Sequence, residues 1–146
     1  MEYMNKCNYD NLLNFLSEVD SDFPVPISQG VDLEDYTQKL LSKATLCIES
    51  DDDKILSLVA GYTDNLVNNL AYIAIVATVG DGRGKGYAKK LVKEFLEIAK
   101  AKNADGAHLY AVKTNVPAVN MYRDIGFELS DVQDIAEKYH FVYYFK

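Results

Sequence analysis

Apolar and polar residues alternate along the chain in two periods, and the changes from one to the other mark out its elements. From Asn8 to Glu18, Leu12, Leu13, Phe15 and Leu16 recur at near-helical spacing with Val19 just beyond, which predicts a short first helix. Ser21 to Gly30 breaks that pattern, because Pro24 and Pro26 disfavour helix at and before their own positions. A second helix is expected from about Asp32, its N-cap, with Leu33, Tyr36, Leu40 and Leu41 inward. Thr45 to Ser50 and Lys54 to Thr63 read as strands joined by the turn Asp51-Asp52-Asp53, and Asp64 to Asn69 as a second polar turn.

The chain is organised around the segment from Tyr72 to Lys100. Tyr72 to Val79 is a β-branched apolar run, the signature of a buried strand. Tyr87 to Lys100 returns to helical spacing, with apolar residues near 87/88, 91/92, 95 and 98/99 and lysines and glutamates opposite. After a helix stop at Lys102 to Gly106, Ala107 to Lys113 reads as a strand. Asn115 then caps a helix with Pro117 in its first turn, running through Ala118, Met121 and Tyr122. Ile125 to Leu129 gives a turn and short strand, Ser130 to Lys138 an acidic irregular stretch with room for a helical turn, and Tyr139 to Phe145 a last strand. This order predicts one mixed α/β domain, residues 1–146, whose central strand–helix–strand unit is parallel and right-handed.

Composition narrows the function classes. The formal charge of −7 opposes nonspecific binding to nucleic acid or to an anionic membrane. No apolar run approaches the roughly 20 residues that span a bilayer, and the first residues lack the apolar region of a signal peptide, so retention in the cytoplasm is expected. Cys7 and Cys47 lack CxxC spacing and read as buried or idle thiols. His108 and His140 lie far apart in sequence, which argues against a histidine metal site, and the three aspartates lack the alternating pattern of a calcium loop. No metal is expected.

The charge is uneven. Arg83, Lys85, Lys89, Lys90, Lys93, Lys100 and Lys102 face only Glu94 and Glu97 within the same segment. Its start, Gly80-Asp81-Gly82-Arg83-Gly84-Lys85-Gly86, links a strand end to a helix start, where unpaired N–H groups and the positive helix end favour an anion. A P-loop would need glycine at Val79 and serine or threonine at Gly86. A dinucleotide fingerprint beginning at Gly80 or Gly82 meets Lys85 or Tyr87 where its third glycine belongs. Both are excluded.

Arg83-Gly84-Lys85-Gly86-Tyr87-Ala88 instead fits Arg/Gln-x-x-Gly-x-Gly/Ala, and it is answered by Asn115-x-x-Ala118-x-x-x-Tyr122-x-x-x-Gly126-Phe127. The pair resembles the two signatures of the GCN5-related N-acetyltransferase (GNAT) superfamily, over roughly residues 45–130. The resemblance implies a mixed, mostly antiparallel sheet, splayed at the cofactor strand by a bulge, with helices on both faces. It also implies acetyl-CoA as cosubstrate. Backbone groups of Val76 and Thr78 would hold the pantetheine arm, with an amide near Val76 facing the thioester carbonyl. Gly84, Lys85, Gly86, Tyr87, Ala88 and Lys89 would receive the pyrophosphate with help from Arg83, and Asn115 would support the arm. Tyr122 would assist the leaving thiolate as an amine attacks directly. One departure is that Gly80 stands where the family commonly has proline.

The base is not legible, since 72–79 holds no carboxylate; Asp64 is the nearest sequence candidate, and a solvated turn is its simpler reading. The acceptor pocket implied by the resemblance is walled by Ser21 to Gly30 and about Ser130 to Tyr144, offering Phe23, Tyr139, His140 and Tyr144. A small amine, an amino sugar or a peptide end suits it equally, in a monomer or a homodimer. The rival class is a noncatalytic acyl-CoA-binding module, which would not need a group such as Tyr122 beside the sulfur.

Overall fold

The computed structural model describes residues 7–23, 26–130 and 137–146. Most of the acidic stretch expected to hold a helical turn, residues 131–136, lies outside the described residues, as do Pro24 and Val25 in the first interhelical loop.

Helix α1 (Tyr9–Val19) starts at Asn8, which exchanges side-chain to backbone bonds with Asn11 in a capping box. Helix α2 (Leu33–Lys43) is capped by Asp32, as its sequence position predicts. Strands β1 (Thr45–Asp51) and β2 (Lys54–Tyr62) form an antiparallel hairpin across the aspartate turn. Strand β3 (Leu70–Thr78) begins two residues before the apolar run, and helix α3 (Tyr87–Ala101) follows the glycine-rich turn. Strand β4 (Gly106–Val112), helix α4 (Val116–Ile125), the short β5 (Glu128–Leu129) and β6 (Lys138–Tyr144) complete the order.

The strands form one sheet in the order β1-β2-β3-β4-β6-β5, antiparallel except for β3 and β4. Helices α3 and α4 cover one face through a core of Val59, Ile73, Phe95, Leu109 and Phe141. Helices α1 and α2 cover the other through Leu12, Leu16, Leu40, Leu58, Ile75 and Val79.

Two features shape the centre of the sheet. Ile73 pairs with Gly61 and Ile75 with Ala60, so Ala74 is an extra residue on β3, a β-bulge. Ala71 and Ile73 before it pack toward α3, whereas Ile75, Ala77 and Val79 after it pack toward α1 and α2. Gly61 opposite the bulge has no room for a side chain, since a Cβ there would overlap the Tyr72 carbonyl oxygen. The second feature is the shortness of the β3–β4 ladder. Pairing runs only from Leu70–Gly106 to Tyr72–His108, after which the two parallel strands diverge.

Candidate active site

The divergence opens a cleft between the outer ends of β3 and β4. A cavity of about 600 Å³ sits there, lined by Val76, Ala77 and Thr78 on one side and Thr114, Asn115 and Pro117 on the other, with Val19, Asp22, Phe23 and Arg83 across its mouth. The outer half of β3 faces this cleft with its backbone. The Val79 N–H donates to the Leu56 carbonyl at 2.9 Å, so Val79 and, by alternation, Ala77 and Ile75 direct their peptide groups at β2. Those of Val76 and Thr78 therefore point away from β2, into the gap that β4 has vacated.

The turn beyond β3 provides the second part of the site. Gly84 and Gly86 adopt φ of +79° and +77°, the left-handed region that glycine enters without strain, and a Cβ on either would meet nothing within 4 Å. Gly86 is the N-cap of α3 and offers no side chain to the helix start. The first helical bond runs from the Lys90 N–H to the Gly86 carbonyl at 3.1 Å. The backbone N–H groups of residues 84–89 meet no acceptor among the described residues. Six successive donors thus converge at the positive end of a 15-residue helix.

The cations around this nest are unequally placed. Lys85 and Lys89 form no ion pair among the described residues, whereas Lys90 binds Glu49 on β1 at 2.7 Å. Arg83 spans the cleft mouth: its guanidinium pairs with Asp22 at 2.6 Å, and its Nε donates to the Thr78 carbonyl at 3.2 Å.

Helix α4 brings in the other signature. The Asn115 Oδ1 accepts from the Ala118 N–H at 3.4 Å as the N-cap, and its amide nitrogen has no partner among the described residues. Tyr122 lies two turns further along, near the same face of α4. Its ring does not line the cleft but packs against Phe127 and Phe141, with centroids 5.9 and 6.1 Å away. The hydroxyl makes no hydrogen bond among the described residues. Burial of the ring drives its pKa well above that of a free phenol.

The structure therefore brings Val76, Thr78, Arg83 and Asn115 to one cleft, with Gly84, Lys85, Gly86, Tyr87, Ala88 and Lys89 on the turn after β3 and the first turn of α3. The bulge falls at Ala74, two residues before Val76. Of the residues expected around the acceptor, Phe23 lines the cleft, but Tyr139 packs toward the core beneath α3 and α4, and Tyr144 lines a separate concavity of about 810 Å³ beside α3. Asp64 is a turn residue paired with Lys102 at 3.1 Å. Cys47 is buried, and its thiol is pushed up to about 12. Sequence reasoning missed Asp22, whose contact with Arg83 spans 61 positions. It also set His108 and His140 apart, and the structure joins them.

The profile of the acetyltransferase (GNAT) family matches residues 12–127. The chain belongs to the GNAT family. No curated protein matches the sequence. Among solved structures, the GNAT-family acetyltransferase of Staphylococcus aureus Mu50 is 17% identical, with a TM-score of 0.75 over 94% of this chain and 93% of that one. Arabidopsis thaliana NAA60, in complex with acetyl-CoA, is 16% identical, with a TM-score of 0.74 over 94% and 96%. The PaiA N-acetyltransferase of Thermoplasma acidophilum, in complex with coenzyme A, is 14% identical, with a TM-score of 0.73 over 96% of each chain. At these identities the likeness is one of fold. It matches the GNAT architecture expected from the two motifs: a mostly antiparallel sheet with one parallel pair and helices on both faces. No described helix is long and apolar enough to cross a membrane.

Proposed function

We propose that the chain transfers the acetyl group of acetyl-CoA to an amine of a small molecule, amino sugar or peptide, by direct attack within a ternary complex. The reading is carried by one juxtaposition: the six unpaired N–H groups at the head of α3 adjoin the unpaired edge of β3. An anion nest followed by an open strand edge suits a molecule with a pyrophosphate at one end and an amide-bearing arm behind it. Acetyl-CoA has that form, and its thioester supplies the activated acetyl group.

In this reading residues 84–89 receive the pyrophosphate, Lys85 and Lys89 contact it from the rim, and Val76 and Thr78 bond the arm as an added strand. Arg83 reaches the phosphates once it leaves Asp22. Asn115 turns its free amide to the arm, and the Val76 N–H faces the thioester carbonyl, where developing negative charge needs a donor. Tyr122 serves the leaving sulfur as a hydrogen-bond donor. A free phenol near pKa ~10 already gives its proton to a thiolate near ~8.5 at a cost of roughly 2 kcal/mol, and burial of Tyr122 raises that cost. Stabilisation of the thiolate without full proton transfer is the role the site supports.

The test is CoA binding by calorimetry, paired with thiol release from acetyl-CoA across a panel of alkylamines, amino sugars and peptides. Binding together with amine-dependent release is expected. Binding without release on any acceptor would replace the transferase with a binding module, and failure to bind CoA would remove both.

A further inference from the structure

His108 on β4 and His140 on β6 are joined by a hydrogen bond of 2.8 Å between Nδ1 of the first and Nε2 of the second. Nδ1 of His140 is in turn bonded to the Ser130 hydroxyl at 2.5 Å. His140 is buried, with 7% of its surface exposed, while His108 is half-buried. The free ring nitrogen of His108 has no partner among the described residues and is not buried, so it forms the accessible end of the chain.

Two tyrosines flank that end. The Tyr72 and Tyr110 rings lie 5.0 and 6.4 Å from the His108 ring and 6.5 Å from each other. Register places all four aromatic groups on one face: Tyr72 pairs with His108, and Tyr110 with His140. It is the face opposite α3, α4 and Tyr122. Helices α1 and α2 pack on β1 to β3 there, and their core includes no residue of β4 or β6. The Tyr72–His108 pair is also the last rung before β3 and β4 separate, so this cluster stands at the closed end of the cleft.

We propose that Tyr72, Tyr110 and His108 form the receiving alcove for the acceptor, that the acceptor is a primary alkylammonium, and that Nε2 of His108 takes its proton. This rests on the acetyltransferase reading and specifies the substrate class and base of the same site. The two tyrosine faces attract the cation at ring distances near ~6 Å. Proton uptake at Nε2 requires the tautomer with its proton on Nδ1, which then donates to His140. His140 is a positioning residue: it accepts from Nδ1 and so fixes that tautomer, and Ser130 orients His140 in turn. Burial and the neighbouring His140 lower the pKa of His108, keeping it neutral and able to accept.

The stoichiometry closes. The ammonium gives one proton to His108, which later releases it to solvent. The neutral amine advances along the cleft toward Val76, three rungs or about 10 Å of strand away, and attacks the thioester carbonyl carbon. A C–N bond forms, the C–S bond breaks, and the sulfur ends with the second amine proton.

The experiment compares ethylamine, protonated at neutral pH, with trifluoroethylamine, which arrives neutral, for wild type, His108→Asn and His140→Gln. Asparagine can keep the bond to His140 but has no atom at Nε2, and glutamine keeps an acceptor for His108. Expected is a loss of about 100-fold in kcat/KM for ethylamine with His108→Asn, with trifluoroethylamine changed less than twofold and His140→Gln intermediate. Nitrogen NMR of histidine-labelled wild type should show His108 protonated on Nδ1. Equal losses on both amines, as a structural defect would produce, or a His108 protonated on Nε2, would overturn the proposal. A wild type that turns over neither amine also overturns it. If that protein still binds CoA and acetylates another acceptor, the acetyltransferase reading stands; if it does neither, both fall.

Discussion

Tyr122→Phe isolates one atom. The ring stays packed on Phe127 and Phe141, and the lost hydroxyl has no partner among the described residues. Removing a hydroxyl that bonds nothing among the described residues leaves no orphaned donor or acceptor behind, so stability should change by less than about 0.5 kcal/mol, as for other changes that break no contact. CoA affinity should hold as well, because the nest at residues 84–89 and the β3 edge are untouched. The loss should fall on turnover. A hydrogen bond to a charged group contributes about 1.5–3 kcal/mol, and if it forms fully only as the thiolate departs, kcat drops about 10- to 150-fold. The assay is thiol release under saturating acetyl-CoA, with CoA affinity by calorimetry and Tm by calorimetric scan on the same preparation. An unchanged kcat would refute the role of the phenol. So would a kcat loss matched by an equal loss of CoA affinity, which would place Tyr122 in binding instead.

Three further outcomes are expected. Gly86→Ala meets no clash but must hold alanine at φ +77°, at about 1–2 kcal/mol; its Cβ projects into the space assigned to the pyrophosphate, so CoA affinity measured by calorimetry should fall by more than that strain accounts for. Gly61→Ala forces its Cβ against the Tyr72 carbonyl and the Phe95 ring; overpacking of this kind costs about 1–3 kcal/mol or more, seen as a lowered midpoint in urea, and an unchanged midpoint would refute the close packing. Finally, the lowered pKa of His108 means the unfolded chain, with its imidazole near 6.5, takes up the proton first as pH falls. Stability contributed by the neutral ring is complete above 6.5 and is lost below it. The Tm advantage of wild type over His108→Asn should shrink between neutral pH and pH 5, and a constant gap would count against the shift.

Local chemistry made much of this legible in the sequence. Asp32 and Asn115 cap the helices they immediately precede, and Gly84 and Gly86 take the positive φ that a turn into α3 demands, because each signal acts within a few residues. The bulge at Ala74 was not legible from the residues themselves. A strand that is apolar on both faces has no polar alternation to break, so an inserted residue leaves no mark in Tyr72 to Val79. Long-range contacts were equally silent. His108 and His140 stand 32 positions apart, and only the antiparallel register of β4 with β6 brings their rings onto one face. Counting histidines in sequence set aside a pair that topology assembles.

The single extra residue at Ala74 acts on β3 as a frameshift acts on a message. Upstream, odd-numbered side chains are read by α3; downstream, they are read by α1 and α2, and the same slip sends the peptide groups of Val76 and Thr78 outward. Deleting Ala74 would set Ile73 and Ile75 side by side against Gly61 and Ala60, so both halves would keep their faces and only the bend and added twist of the bulge would be lost. What the extra residue supplies is a bend at the point where β3 parts from β4, so a strand shortened by that one residue would still hold both cores but would run straighter past the cleft.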